Sequence, residues 1–238
     1  MTLTLFSYPQ LFGLSDNNPY GLKVATFMQL CGVPFRHAHI IDASAAPRGQ
    51  LPYLDDDGQV IGDSDAIIAH LTAKLDLAID RDLSPSQRCT DLLVRRMLDD
   101  LYWVMSYSRW RDDRYWPLFQ DALLTTHAEL TAGQLEAARR YNFQRYHYQG
   151  IGRYEPADAY ARGVRDLEVL AALLGDGPYL FGDRVHGIDA AIYGFVANTY
   201  CYEIDTPLKE AVLASPQLVA HCQRVGELAQ ARAAPPLG

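Results

Sequence analysis

The chain has 238 residues, 49% of them apolar, which supports a sizeable core in one or two compact domains and excludes a disordered chain. Its 29 acidic and 21 basic residues leave a net charge of −8, which excludes a general binder of polyanions or anionic membranes, because both need clustered positive charge. Four cysteines (Cys31, Cys89, Cys201 and Cys222) are too few and too scattered for a disulfide scaffold, so a reducing compartment is expected.

Lys23 is the first basic residue, so no secretory leader is read at the start, and no apolar run approaches the roughly 20 residues of a membrane span. A cytoplasmic protein is expected. Residues 3–8 are β-prone, and Tyr20 to Leu30 carries the apolar residues of a helix with Gly32 as its stop. Phe35 to Ile41 reads as a second strand. Tyr53-Leu54 and Gln59-Val60-Ile61 flank Asp57-Gly58, a hairpin turn signal, and Asp65 to Leu75 reads as a helix. These elements predict a small α/β unit over residues 1–78, then a linker over 79–85.

Residues 86–238 show no strand alternation and read as helices. The spacing predicts Gln87 to Arg111, Tyr115 to Leu130, Gly133 to Tyr148, Pro156 to Leu174, Ile188 to Tyr200 and Pro216 to Ala231. Between Pro156 and Leu174, Tyr160, Val164, Leu167, Leu170, Ala171 and Leu174 repeat at three and four, a core-facing stripe.

Three segments could carry chemistry. Asn18-Pro19 is a good cap and first-turn pair, and the free N–H groups of the helix start it marks can hold a phosphate, carboxylate or thiolate. Leu51-Pro52 enters a strand after a loop; composition alone does not distinguish a cis from a trans bond there. Asp63-Ser64 precedes an apolar helix, with Ser64 as the expected cap and a carboxylate donor. Each is explained singly by local structure.

Their order is what is specific. A strand, a capped helix, a strand, a loop to Leu51-Pro52, a hairpin and Asp63-Ser64, with helices behind, resemble the thioredoxin-like domain and the all-helical domain of glutathione transferases. Ser15-Asp-Asn-Asn18-Pro-Tyr-Gly-Leu-Lys-Val24, Pro47-Arg-Gly-Gln-Leu-Pro-Tyr53, Val60-Ile-Gly-Asp-Ser-Asp-Ala-Ile-Ile68 and Leu174-Gly-Asp-Gly-Pro-Tyr-Leu-Phe-Gly-Asp-Arg184 are similar to the branch with the failed-axon-connections proteins and the metaxins. The resemblance implies glutathione as co-substrate, a small apolar electrophile as second substrate and a homodimer. It implies that Leu51, before a cis Pro52, pairs with the cysteinyl unit, while Asp63 and Ser64 hold the γ-glutamyl end. Asn18 falls where relatives carry a serine or cysteine facing the sulfur. An amide excludes a mixed-disulfide mechanism at this position but can donate a hydrogen bond to a thiolate. Tyr8, ending the first strand, is the rival donor.

Trp103, Tyr107 and Trp110 fall at i, i+4 and i+7 of the long helix that borders the second-substrate pocket in the family. They are the expected aromatic wall. Asp189 matches a helix-capping signature whose usual first residue, Ser or Thr, is replaced by His186. His37 and His39 share a strand face without a third ligand at useful spacing, so no metal site is expected. Arg139 to Tyr148 mixes basic and aromatic residues, which helical spacing explains better than nucleic-acid binding does. Conjugation, hydroperoxide reduction and disulfide reduction all fit the implied pocket. The alternative is a non-catalytic binding protein that keeps the fold.

Overall fold

The computed structural model describes residues 2–234. Met1 and the last four residues of the second expected unit lie outside the described residues.

Four strands form one sheet in the order β2-β1-β3-β4, from β1 (Leu3–Ser7), β2 (Arg36–His39), β3 (Tyr53–Asp56) and β4 (Gln59–Gly62). β1 and β2 run parallel, joined by the crossover helix α1 (Pro19–Leu30), and β3 is antiparallel to both β1 and β4. Asp57 and Gly58 both take positive φ at the hairpin, 51° and 92°, the backbone that an Asp-Gly pair adopts at little cost. α2 (Ser64–Lys74) then packs on the sheet.

The helices that follow are α3 (Pro85–Trp110), α4 (Trp116–Thr126), α5 (Ala132–Gln149), α6 (Pro156–Leu174), α7 (Gly187–Tyr200), α8 (Pro207–Leu213) and α9 (Pro216–Arg232). Six match the expected stretches to within a few residues. α8 was not expected. Its Thr206 cap and Pro207 are visible in the sequence, but seven residues are too few for a helical period to declare itself. No helix among the described residues is long and apolar enough to cross a membrane.

α1 is buried nearly all round because it lies between the sheet and the helices behind it. Leu3, Leu5, Val24, Phe27, Leu54 and Ile67 form one core with Ala190 of α7 and Val225 of α9. The closest approach is at Gly194 of α7, where an added Cβ would meet the Pro19 carbonyl at 2.5 Å and the Lys23 nitrogen at 3.0 Å. Hydrogen alone fits there, so α7 fixes where the first turn of α1 sits. Asp189 caps α7, accepting from the His186 N–H at 2.8 Å, from the Leu180 N–H at 3.0 Å and lying 2.9 Å from His221 Nε2. At His186 the sequence lacks a short hydroxyl, and its backbone carbonyl accepts from the Asp189 N–H instead.

Candidate active site

The amino end of α1 carries the first group of residues. Asn18 is the cap: its Oδ1 accepts from the Tyr20 N–H at 3.0 Å, and its own N–H donates to Asp16 Oδ1 at 2.7 Å. The Asn18 amide nitrogen is therefore free of the capping role. Asp16 is fully buried beneath this turn, its second oxygen without a hydrogen-bond partner, and burial pushes its carboxyl well above the usual carboxylate range. Tyr8 follows β1, and burial, with Tyr102 adding to it, pushes its phenol up to about 12. It is a hydrogen-bond donor at neutral pH.

A second helix start faces the same cleft, a cavity of about 410 Å³ to which Leu51, Pro52, Asp63 and Ser64 all contribute. The Leu51–Pro52 peptide is cis. The β3 ladder begins at Tyr53, so the N–H and C=O of Leu51 are not spent in it. Ser64 was expected to cap α2, but Asp63 is the cap. It accepts from the Asp65 and Ala66 N–H groups at 3.0 and 3.1 Å through one oxygen, and its φ of 78° is unusual for a residue with a side chain. The acceptor on a longer arm reaches the second and third amides of α2, which leaves Ser64 as the first helical residue. The other Asp63 oxygen has only Arg48 nearby, at 3.7 Å.

Ser64 is buried, and its Oγ accepts from Lys23 Nζ at 3.1 Å. Sequence reasoning missed Lys23. This cation on the buried side of α1 is ion-paired to Asp65, which Arg95 also approaches at 3.1 Å. Burial lowers the Lys23 pKa, and Asp65 opposes that effect. A single Lys between Leu22 and Val24 in an apolar helix was the available signal.

The third feature is a cavity of about 240 Å³ with mainly apolar walls from α3, α4 and α5. From α3 it takes Tyr102, Met105, Ser106, Arg109 and Trp110, a stripe at i, i+3, i+4, i+7 and i+8. Of the expected aromatic wall, only Trp110 lies here. Trp103 lines the neighbouring polar cleft, and Tyr107 is 2% exposed in the core, its ring 6.0 Å from that of Tyr160 and 6.3 Å from that of Tyr146. The correction has a geometric cause. Neighbouring residues on a helix point about 100° apart, so the stripe one residue over from Trp103 faces the cavity.

The two cavities share Tyr8, Asn18, Tyr102, Tyr141 and Arg145. Tyr141 and Arg145 belong to the basic and aromatic stretch of α5, whose far end, Tyr148, is 83% exposed. Tyr8 and Asn18 thus stand where the polar cleft opens on the apolar cavity.

Family models for the glutathione S-transferase N-terminal domain and C-terminal domain match residues 19–115 and 163–225. An isoprene-epoxide–glutathione S-transferase of Rhodococcus sp. (strain AD45) is 32% identical, over 94% of this chain and 97% of that protein. The chain belongs to the glutathione S-transferase family. Failed axon connections of Drosophila melanogaster is 26% identical over 93% of this chain and 56% of that protein, and metaxin-1 of Bos taurus is 26% identical over 95% and 71%. Among solved structures, a glutathione S-transferase of Ceriporiopsis subvermispora in complex with glutathione superposes with a TM-score of 0.63 at 16% identity over all of both chains, a likeness of fold.

Outside the two cavities of this transferase-family chain, the His37 and His39 rings lie with centroids 4.3 Å apart and planes tilted by 43°. His37 Nε2 lies 2.6 Å from Ser7 Oγ, and burial, with His39 beside it, pushes the His37 imidazole down to about 4. No three His, Cys, Asp or Glu side chains converge on a metal-sized site among the described residues.

Proposed function

We propose that the protein is a glutathione transferase whose sulfur is activated at the amino end of α1. Glutathione lies along the polar cleft, its cysteinyl unit on the Leu51 backbone beside Pro52 and its γ-glutamyl end at the start of α2. Ser64 offers its N–H and hydroxyl to the carboxylate, and the Asp63 oxygen not used in the cap, with Arg48 at 3.7 Å, meets the ammonium. The sulfur then reaches the shared wall, where Asn18 and Tyr8 are the two available donors. The thiolate attacks a small electrophile in the apolar cavity, the new bond forming on sulfur as the leaving group takes its electron pair.

The observation that carries this reading is the sharing of Tyr8 and Asn18 between a polar, doubly helix-capped cleft and an apolar cavity. The similar Rhodococcus enzyme, named for an isoprene epoxide, supports small epoxides as first electrophiles to try; hydroperoxides and disulfides remain within the same chemistry. Residues 1–78 form the glutathione-binding unit in this reading and residues 86–238 supply the electrophile's wall. A homodimer working in the reducing cytoplasm, in detoxification, completes it; sedimentation and cell fractionation measure these two points.

Calorimetry with glutathione is the test. Asp63→Ala combined with Ser64→Ala removes charge-assisted hydrogen bonds worth roughly 1.5–3 kcal/mol each, so affinity falls at least tenfold. Unchanged binding overturns the site. A second reading, a binding protein without catalysis, is favoured by Asn18, whose side chain has no ionisable proton, and by the similarity to metaxin-1 and failed axon connections. A saturated complex with no more ultraviolet thiolate absorbance than free glutathione selects it.

A further inference from the structure

The apolar cavity has two guanidinium groups in its wall and no carboxylate. Arg109 is committed to structure: it is buried and donates to the carbonyl of Asn17 and, at 2.9 and 3.1 Å, to the carbonyl and side chain of Asn198. These bonds tie α3 to the loop before α1 and to α7.

Arg145 is not committed in this way. It donates from Nη1 to Asn142 Oδ1 at 2.9 Å and lies over the rings of Trp103 and Tyr141, 5.2 and 5.9 Å from their centroids. It makes no ion pair among the described residues, whereas Arg139 on the same helix pairs with Asp113 at 2.5 Å. The carboxylates of the neighbouring cleft already have cations of their own: Asp65 has Lys23 and Arg95, Asp99 has Arg96 and Asp63 has Arg48. A guanidinium carries five donors in a planar fork suited to oxygen anions. A bond to the Asn142 amide and a contact with the Tyr102 hydroxyl, both neutral groups, leave most of them unused. Holding such a group half-buried between aromatic rings costs solvation that no protein anion returns.

We propose that Arg145 is the anion-binding group of the electrophile cavity, so that the second substrate either carries an anionic oxygen or develops one as it reacts. In the opening of an epoxide, the thiolate pair forms the S–C bond and the C–O bond breaks onto oxygen. The alkoxide then takes a proton from water, and Arg145 stays charged throughout. A carboxylate already present on the electrophile would use the same fork. This deepens the transferase reading and rests on it for the reaction, though not for the anion site itself.

Two measurements separate these points. Calorimetry with 4-phenylbutyrate and with its neutral amide needs no glutathione; the carboxylate binds at least tenfold tighter to the wild type, Arg145→Gln loses that preference and Arg145→Lys retains part of it. An absent preference, or one unchanged in Arg145→Gln, overturns the proposal. Steady-state kinetics with styrene oxide and its 4-carboxy derivative then assign the source of charge. A developing alkoxide lowers kcat on styrene oxide about 100-fold in Arg145→Gln, as loss of one oxyanion donor does elsewhere. A standing carboxylate instead raises KM for the carboxy derivative alone; either result supports the proposal. A tenfold loss of glutathione affinity in Arg145→Gln with both cavity ligands unaffected overturns it, since Arg145 would then hold a glutathione carboxylate. A wild type that binds no glutathione fails the transferase reading and leaves the phenylbutyrate result standing.

Discussion

Asn18→Asp tests the proposed sulfur site without removing the helix cap. Asp caps a helix about as well as Asn, so stability changes by only a few tenths of a kcal/mol. The chemistry facing the cleft changes much more. A thiol with a pKa of about 8.5 must be lowered by ~2 units to be mostly ionised at neutral pH, which requires ~2.7 kcal/mol. A partly buried helix terminus supplies up to ~2 kcal/mol, so a charge-assisted hydrogen bond, worth about 1.5–3 kcal/mol, has to complete the sum. The Asn18 Oδ1 is held by the Tyr20 N–H, which leaves its amide nitrogen as that donor. Asp at this position has no donor and adds a like charge. The thiol pKa of the complex therefore rises by at least ~1 unit from the lost bond alone. Ultraviolet titration of the thiolate in glutathione-saturated protein reads this shift, and a thermal melt confirms the intact cap. A thiol pKa unmoved in Asn18→Asp refutes the assignment. Tyr8→Phe, which touches no cap, then shows whether the phenol is the donor.

Two further outcomes follow from packing and burial. Gly194→Ala forces a methyl group against the Pro19 carbonyl and the Lys23 nitrogen, backbone atoms that cannot swing aside. Overpacking of this kind costs about 1–3 kcal/mol, read by urea unfolding, and glutathione binding weakens with it because the first turn of α1 shifts. Gly133→Ala, with open space around the added methyl, is the control and should not destabilise. Equal urea midpoints for the two variants would contradict the account of the α1–α7 contact. His37 has its pKa pushed down from 6.5 to about 4, so the unfolded chain binds a proton that the folded chain refuses between those values. Stability therefore falls as pH drops through that window, by up to about 3 kcal/mol, and His37→Gln flattens the decline. Parallel pH profiles for the two proteins would count against a neutral, half-buried His37.

The local elements were legible because their signals are local. Asn18-Pro19 and Ser215-Pro216 each start a helix where a capping side chain and a proline without an N–H suit the first turn, whereas the same signal at Ser84-Pro85 starts α3 inside the expected linker, two residues before Gln87. Asp57-Gly58 specifies its own turn, and the three- and four-residue repeat from Tyr160 to Leu174 specifies which side of α6 is buried. The cleft residues Leu51, Pro52, Asp63 and Ser64 were legible as a set, through their order between those elements. The identity of the α2 cap was not, because two adjacent capping residues compete and only the backbone at Asp63 decides between them.

Composition and periodicity thus determined the elements, their sequence and the polar groups at two helix starts. They could not determine what lies opposite each helix face. Tyr107 enters the core and Arg109 and Trp110 the cavity because of where α5 and α6 pack against α3, and the Lys23 ammonium is buried because Ser64 and Asp65 of α2 close over it, with Arg95 of α3 beside them. Arg145 joins the site for the same reason. A side chain's burial and charge environment are set by neighbours tens or hundreds of residues away, and a pattern within one helix carries no information about them.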